Sequence, residues 1–150
     1  MKASRSTWAF LAPPTRSRKP APAMTTDELA AALHACASGL YPLEAGVALL
    51  ISSGAFLHRS DFAGRFIEHA TSSGVAMAAI DWEAAVTALG SGELPCSGGE
   101  RRVLLLSASL AAGIPVDLRD ASTGLDDRNI QRLVTAIRHA SGKRPESRGY

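Results

Sequence analysis

Between Cys96 and Asn129 the chain concentrates the side chains that could do chemistry. Ser97, Glu100, Arg101 and Arg102 open this stretch, and Asp117, Arg119, Asp120, Asp126, Asp127, Arg128 and Asn129 close it. Carboxylates alternating with guanidinium groups around a short connection can do two things. They can cap the neighbouring helices and tie the connection down through arginine forks, or they can face outward as a recognition surface, with Arg101, Arg102, Arg119 and Arg128 offered to an acidic partner. The capping role is the simpler expectation, and the cluster is kept as the candidate interaction site. Catalysis has less to work with. His34, His58, His69 and His139 have no partner at a recognisable spacing, and no G-x-S-x-G elbow occurs. His69 and His139 fall near expected helix C-termini, where the helix dipole accounts for them. Cys36 and Cys96 lack a C-x-x-C partner, His34 and Cys36 diverge around a helix, and H-E-x-x-H is absent. The expectation is two buried thiols, no disulfide, no metal, no cofactor and no catalytic residue.

Two resemblances attach to the same residues. Ser97-Gly98-Gly99-Glu100-Arg101-Arg102 resembles the signature loop of ABC-type ATPases, and Thr123-Gly124-Leu125-Asp126 resembles the segment after that family's acid-bearing strand. Such loops act on nucleotide only with a phosphate loop, and no G-x-x-x-x-G-K-[ST] occurs here. The segment that would be the strand, Ile114 to Ala121, lacks a buried apolar run, and Ala121 stands where the resemblance implies a catalytic glutamate. A capping box explains Ser97 and Glu100 without any ligand. Over about residues 41–142 the chain also resembles small actinobacterial proteins of uncharacterised activity. That likeness runs through Ile80-Asp81-Trp82-Glu83, Gly92 to Arg102, Ile114 to Asp120, Gly124 to Asn129 and His139 to Gly142. It implies one shared domain and no transferable site.

The elements that must position these residues read as helices. The chain has 150 residues and is 46% hydrophobic but only 5% aromatic, so its core is built from Ala, Leu, Val and Ile, with alanine favouring helix. Thr25-Thr26-Asp27-Glu28 is a capping box ahead of Leu29, Leu33, Cys36 and Leu40. Pro42 suits the first turn of a second helix, whose run from Ala45 to Leu57 carries no charge; it is too short to span a bilayer and reads as buried. Ser60 and Asp61 are read as the cap of a third helix, with Phe62, Phe66, Ile67 and Ala70 inward, fading by Gly74. Asp81 caps a fourth helix that ends at Gly90-Ser91-Gly92. A fifth helix from Ser97 to Gly113 bears an apolar stripe wide enough for a central position. A sixth begins at Asp126 or Asp127, turns Ile130, Leu133, Val134 and Ile137 inward, and stops at Gly142. Between the last two, Val116 to Asp120 is too short to assign. The expected fold is all-α, a compact orthogonal or bundle-like array of about six short helices.

Charge divides the chain into three parts. Residues 1–24 hold five bases and no acid, residues 143–150 carry a net +2, and residues 25–142 have eight arginines against 13 acids, a net −5. The overall +2 is therefore a property of the tails, and the folded part is acidic. The first 24 residues, rich in Pro, Ser and Arg, read as a disordered tail; because Met24 directly precedes the first capping box, residues 1–23 equally suit an upstream extension from an overcalled start. Residues 143–150 read as a second flexible tail. Ala70, Gly74, Val75 and Ile80 echo part of a helix-turn-helix pattern, but no Lys or Arg lies between Arg65 and Arg101, so such a helix would bring anions to phosphates. Nucleic acid is expected to meet the tails only. The leading expectation is a cytoplasmic, non-catalytic helical protein with an unidentified protein partner and no membrane role. The alternatives are a nucleic-acid-associated regulator using its tails and a degenerate nucleotide-binding or enzymatic domain around residues 97–127.

Overall fold

Residues 24–143 are described by a computed structural model; the expected tails, and the expected extension before Met24, lie outside them. At Thr25 the capping box closes both ways: the Thr25 hydroxyl accepts from the Glu28 amide, and the Glu28 carboxylate accepts from the Thr25 amide at 2.8 Å. α1 (Thr26–Ala37) starts there and buries Leu29, Ala32, Leu33 and Cys36. After a turn at Gly39, α2 (Tyr41–Ser52) begins with Pro42 in its first turn. The lack of charge after Glu44 reflects burial on two sides: Leu43, Val47 and Leu50 enter one apolar cluster, and Ala45 and Leu49 enter another. A short α3 (Ser60–Phe66) follows.

The all-α expectation fails between Ile67 and Ile80. Here the chain forms an antiparallel hairpin of β1 (Ile67–Ser72) and β2 (Val75–Ile80), with Ile67 opposite Ile80 and Ser72 opposite Val75. Ser73 and Gly74 have φ values of 50° and 79°, the left-handed pair of a two-residue turn whose twist matches the strands it joins. The spacing of Phe62, Phe66 and Ala70 is helical, yet Ala70 is only half-buried. Tertiary packing overrides alanine's helix preference, because Ala78 and Ile80 of β2 join the core to which α1 contributes Leu29, Ala32 and Leu33. His69 therefore sits on a strand and faces no helix dipole. The helix-turn-helix offsets also fall on the hairpin, so no recognition helix exists there.

Asp81 caps α4 (Trp82–Ser91) as expected, accepting from the Ala84 amide. The Ser97 hydroxyl accepts from the Glu100 amide to start α5 (Gly98–Ala112), and Gly113, at φ 69°, ends it. The unassigned stretch before Gly124 resolves into a loop and a seventh helix, α6 (Leu118–Thr123), capped by Asp117. Asp126 caps α7 (Asp127–Ala140). Among the described residues, seven helices and a hairpin thus replace the expected six helices.

α2 and α5 hold the two apolar clusters together. Like α2, α5 serves both, with Leu104 and Ala108 in the larger and Val103 and Leu106 in the smaller, which also receives Ala121, Leu133 and Ala136. This is why its apolar stripe is wide. The two helices touch at Gly46, where an added Cβ would lie 2.6 Å from both the Ala111 Cβ and the Ser107 carbonyl oxygen. Beside it Ser107 is fully buried, and its hydroxyl has no hydrogen-bond partner among the described residues. Gly46→Ala is expected to force the helices apart and cost about 1–3 kcal/mol in chemical denaturation. Ser107→Ala, which removes an unsatisfied hydroxyl, is expected to leave stability unchanged or raise it by up to about 1 kcal/mol.

Candidate interaction surface

Most of the polar cluster is bound up in helix ends. One carboxylate oxygen of Asp117 accepts from the Arg119 and Asp120 amides at 3.0 and 3.3 Å, and Asp126 accepts from the Asn129 amide at 2.8 Å. The Asn129 side-chain oxygen in turn accepts from the Arg132 guanidinium at 3.0 Å. Arg102 donates through Nε to the Asp120 carbonyl at 3.3 Å and lies flat on Gly124, where any Cβ would collide with the guanidinium. Arg102 thereby straps α6 to α5. Arg101 donates to the Leu89 carbonyl at the end of α4 at 3.4 Å. Two of the four arginines of this cluster, Arg101 and Arg102, thus each donate a single bond to a backbone carbonyl, in place of the expected forks. Arg101, though exposed, and the half-buried Arg102 are held by these bonds, whereas the side chains of Arg119, Asp120, Asp127 and Arg128 are exposed and make no hydrogen bond or ion pair among the described residues.

This arrangement leaves no room for the ATPase likeness. Ser97 to Arg102 is the cap and first turn of a helix, and Ile114 to Ala121 is a loop running into α6. Among the described residues the only sheet is the β1–β2 hairpin, so no parallel strand lies behind these loops.

A tighter polar junction was missed in the sequence. Arg59 grips Asp61 with two bonds, Nε to Oδ1 at 3.0 Å and Nη2 to Oδ2 at 2.6 Å. Its Nη1 donates to the Pro95 carbonyl at 2.8 Å and lies 3.6 Å from the Cys96 sulfur and 3.8 Å from Glu100. Arg59 itself is the N-cap of α3 and makes no side-chain cap bond, so the expected Ser60–Asp61 cap is replaced by an arginine clamp between α3 and the start of α5. Glu100, turned toward Arg59, does not close the reciprocal half of the capping box at Ser97. The clamp holds the Asp61 carboxyl below the usual carboxylate range, and bonding to Asp61 raises the Arg59 guanidinium above its ordinary value. Burial raises the Cys96 thiol, partly opposed by Arg59. Cys36 is fully buried and likewise raised by desolvation. Neither thiol is thus a ready nucleophile at neutral pH. A second cross-link joins α2 to α7: His139 Nε2 lies 2.9 Å from Glu44 Oε2, with Tyr41 edge-on to the imidazole.

α7 departs from expectation in its apolar face. Leu133 and Ala136 are buried against α2 and α5, but Ile130, Val134 and Ile137 are 40%, 51% and 47% exposed. At about 100° per residue these three lie within roughly 60° of one another, a quarter-turn from the buried row and opposite His139. Of the four residues expected to turn inward, only Leu133 does so; Ile130, Val134 and Ile137 lie beyond the contact that covers it. A depression of about 370 Å³, open to solvent, is lined by Arg65, Phe66, Glu83, Thr87 and Glu93, among others, and includes the 2.9 Å Arg65–Glu93 ion pair. Among the described residues no three or more His, Cys, Asp or Glu side chains converge as a metal site, and no helix is long and apolar enough to cross a membrane.

Two outcomes test this assignment. Asp126→Ala, which removes a cap, is expected to cost about 1 kcal/mol in thermal or chemical unfolding, whereas Arg119→Ala should stay within about 0.5 kcal/mol of wild type. Bonding to His139 lowers the folded-state pKa of Glu44, so its stabilisation is present above the unfolded value of about 4.3 and is lost as pH falls through the lower folded value. Glu44→Gln should therefore lose less stability than wild type on acidification below about pH 4.3, by under about 1 kcal/mol for so exposed a pair.

Compared with protein-family models, with curated proteins and with solved structures, the chain has no match in any of the three.

Proposed function

We propose that this chain is a non-catalytic helical protein that works through protein contacts in the cytoplasm, in a regulatory or accessory role. The observation that carries this reading is the water-facing row Ile130, Val134 and Ile137 on α7, exposed by 40%, 51% and 47%. Scattered surface apolar residues are ordinary, but three in register on one helix form a stripe of the kind that another chain covers. Beside it Asp127 and Arg128, and on α6 Arg119 and Asp120, supply exposed charge of both signs, which suits a contact with an apolar centre and a polar rim. Two unpaired thiols, Cys36 and Cys96, fit a reducing compartment.

The segregation of charge supports a second reading, in which nucleic acid is held by the basic tails, residues 1–24 and 143–150, outside the acidic body. That reading requires a salt-sensitive gel shift that disappears when both tails are deleted.

The first reading is tested by capturing the tagged full-length chain from its native host beside the Val134→Glu variant, with circular dichroism to establish that both are folded. Proteins recovered with wild type should fall about tenfold or more with the variant. Recovery of the same proteins at the same level by both would remove the α7 row as the basis of the function.

A further inference from the structure

We infer that the exposed face of α7 is a self-complementary surface that pairs antiparallel with α7 of a second copy of this chain. The inference rests on the reading of α7 as a contact surface and names the partner.

The pattern of charge beside the apolar row selects that partner. Asp127 and Arg138 lie on the same flank of Ile130, Val134 and Ile137, about 20° apart in phase and about 16 Å apart along the helix axis. Both are exposed, and neither side chain makes a hydrogen bond or ion pair among the described residues. A two-fold axis perpendicular to α7 near Val134 maps each flank onto the same flank of the other copy. Ile130 then meets the partner's Ile137, Val134 meets the partner's Val134, and Asp127 comes within two residues of register with the partner's Arg138. The offset is about 3 Å along the axis, within an arginine's reach. The same pairings recur across the axis, as an isologous interface requires. A parallel alignment would instead face this flank with the partner's opposite flank, so Asp127 and Arg138 would not meet across the seam. The apolar row is free to act this way because the opposite flank of α7 is already occupied by the contact of His139 with Glu44 and Tyr41. Leu118 on α6, 58% exposed, and the partly buried Val116 and Leu125 add apolar surface at the border of the smaller core cluster, to which Leu133 belongs.

The other candidate occupant within the chain is residues 1–24, which contain Trp8, Phe10 and Leu11. Charge argues against it. That segment carries five bases and no acid, while α7 has Arg128, Arg132 and Arg138 against Asp127 alone, so the two would repel. A second copy of α7 has the same net charge but, unlike the tail, brings an acid, Asp127, to Arg138, the base beside the apolar row.

Sedimentation equilibrium of the full-length chain, from about 1 to 200 µM, tests the pairing. Wild type should dimerise reversibly within that range. Val134→Glu, which sets two carboxylates against each other on the axis, should be monomeric throughout, with the helical circular dichroism of wild type. Asp127→Arg and Arg138→Asp should each weaken dimerisation about tenfold, because each turns two attractive contacts into repulsive ones. The double variant should return to within about threefold of wild type, a rescue that no fold-damaging effect would produce. A wild-type chain that is monomeric at 200 µM overturns the inference, as does a dimer indifferent to Val134→Glu or one not rescued by the double reversal. A monomer that still captures host proteins in a Val134-dependent way would overturn the self-pairing alone and leave the contact function standing.

Discussion

The rest of this structure depends on how closely α2 and α5 approach. At Gly46 the α2 backbone sits against the Ser107 carbonyl and the Ala111 methyl, with no space for one more carbon. Interhelix distance sets which residues on either side meet, so the contact fixes both apolar clusters at once: Leu50, Leu104 and Ala108 on one side, Ala45, Leu49, Val103 and Leu106 on the other. Neither helix has a solvent face of any width, which explains why α2 is free of charge after Glu44. The close approach also buries Ser107 against a backbone that offers its hydroxyl no acceptor. A hydroxyl left unpaired at such a place costs stability, and the helix contact is strong enough to carry it.

Around this pair, polar groups hold corners. Asp117 and Asp126 start helices, Arg102 fastens α6 to α5, Arg101 bonds the last turn of α4, and Arg59 ties α3 to the loop before α5 through the Pro95 carbonyl. Most of these donors reach backbone carbonyls, which leaves part of the surface charge without an internal partner. The exposed Arg119, Asp120, Asp127, Arg128 and Arg138, all on α6 and α7, make up much of that remainder among the described residues, with Asp27 and Glu83 elsewhere. The two halves of the surface therefore differ in kind: around Arg59 and Arg65 opposite charges meet each other, whereas around α7 they face water beside uncovered isoleucine and valine.

Local signals were legible in the sequence at most helix starts, Ser60 and Asp61 excepted. Thr25, Asp81, Ser97 and Asp126 all cap the helices whose starts they mark, and Gly113 closes the fifth at a left-handed φ of 69°. The breadth of the α5 stripe announced its central place. The hairpin was not legible because its strands are alanine-rich and their burial is imposed from outside by α1; periodicity in Phe62, Phe66 and Ala70 continued a helix that packing stops at Phe66. The Arg59 clamp escaped for a related reason: it joins residues 36 positions apart in sequence, and nothing local marks the carbonyl of Pro95 as an acceptor. In the candidate cluster the caps could be read, but the directions of Arg101 and Arg102 could not, since those follow from where α4 and α6 end. The apolar period of α7 was visible, while the division of that period between core and solvent depends on the width of α2.

The smaller cluster has a consequence for how the chain comes to be folded. Its upstream contributors, Ala45, Leu49, Val103 and Leu106, are complemented by Leu133 and Ala136 from the last described helix. During synthesis the larger cluster can assemble once α5 has left the ribosome. The other face of the same two helices stays wet until α7 too has emerged and packed onto α2, bringing His139 to Glu44. A chain cut short before Asp127 is thus a half-dressed particle with a greasy strip available to chaperones and proteases, and docking of α7 is what withdraws it from their reach.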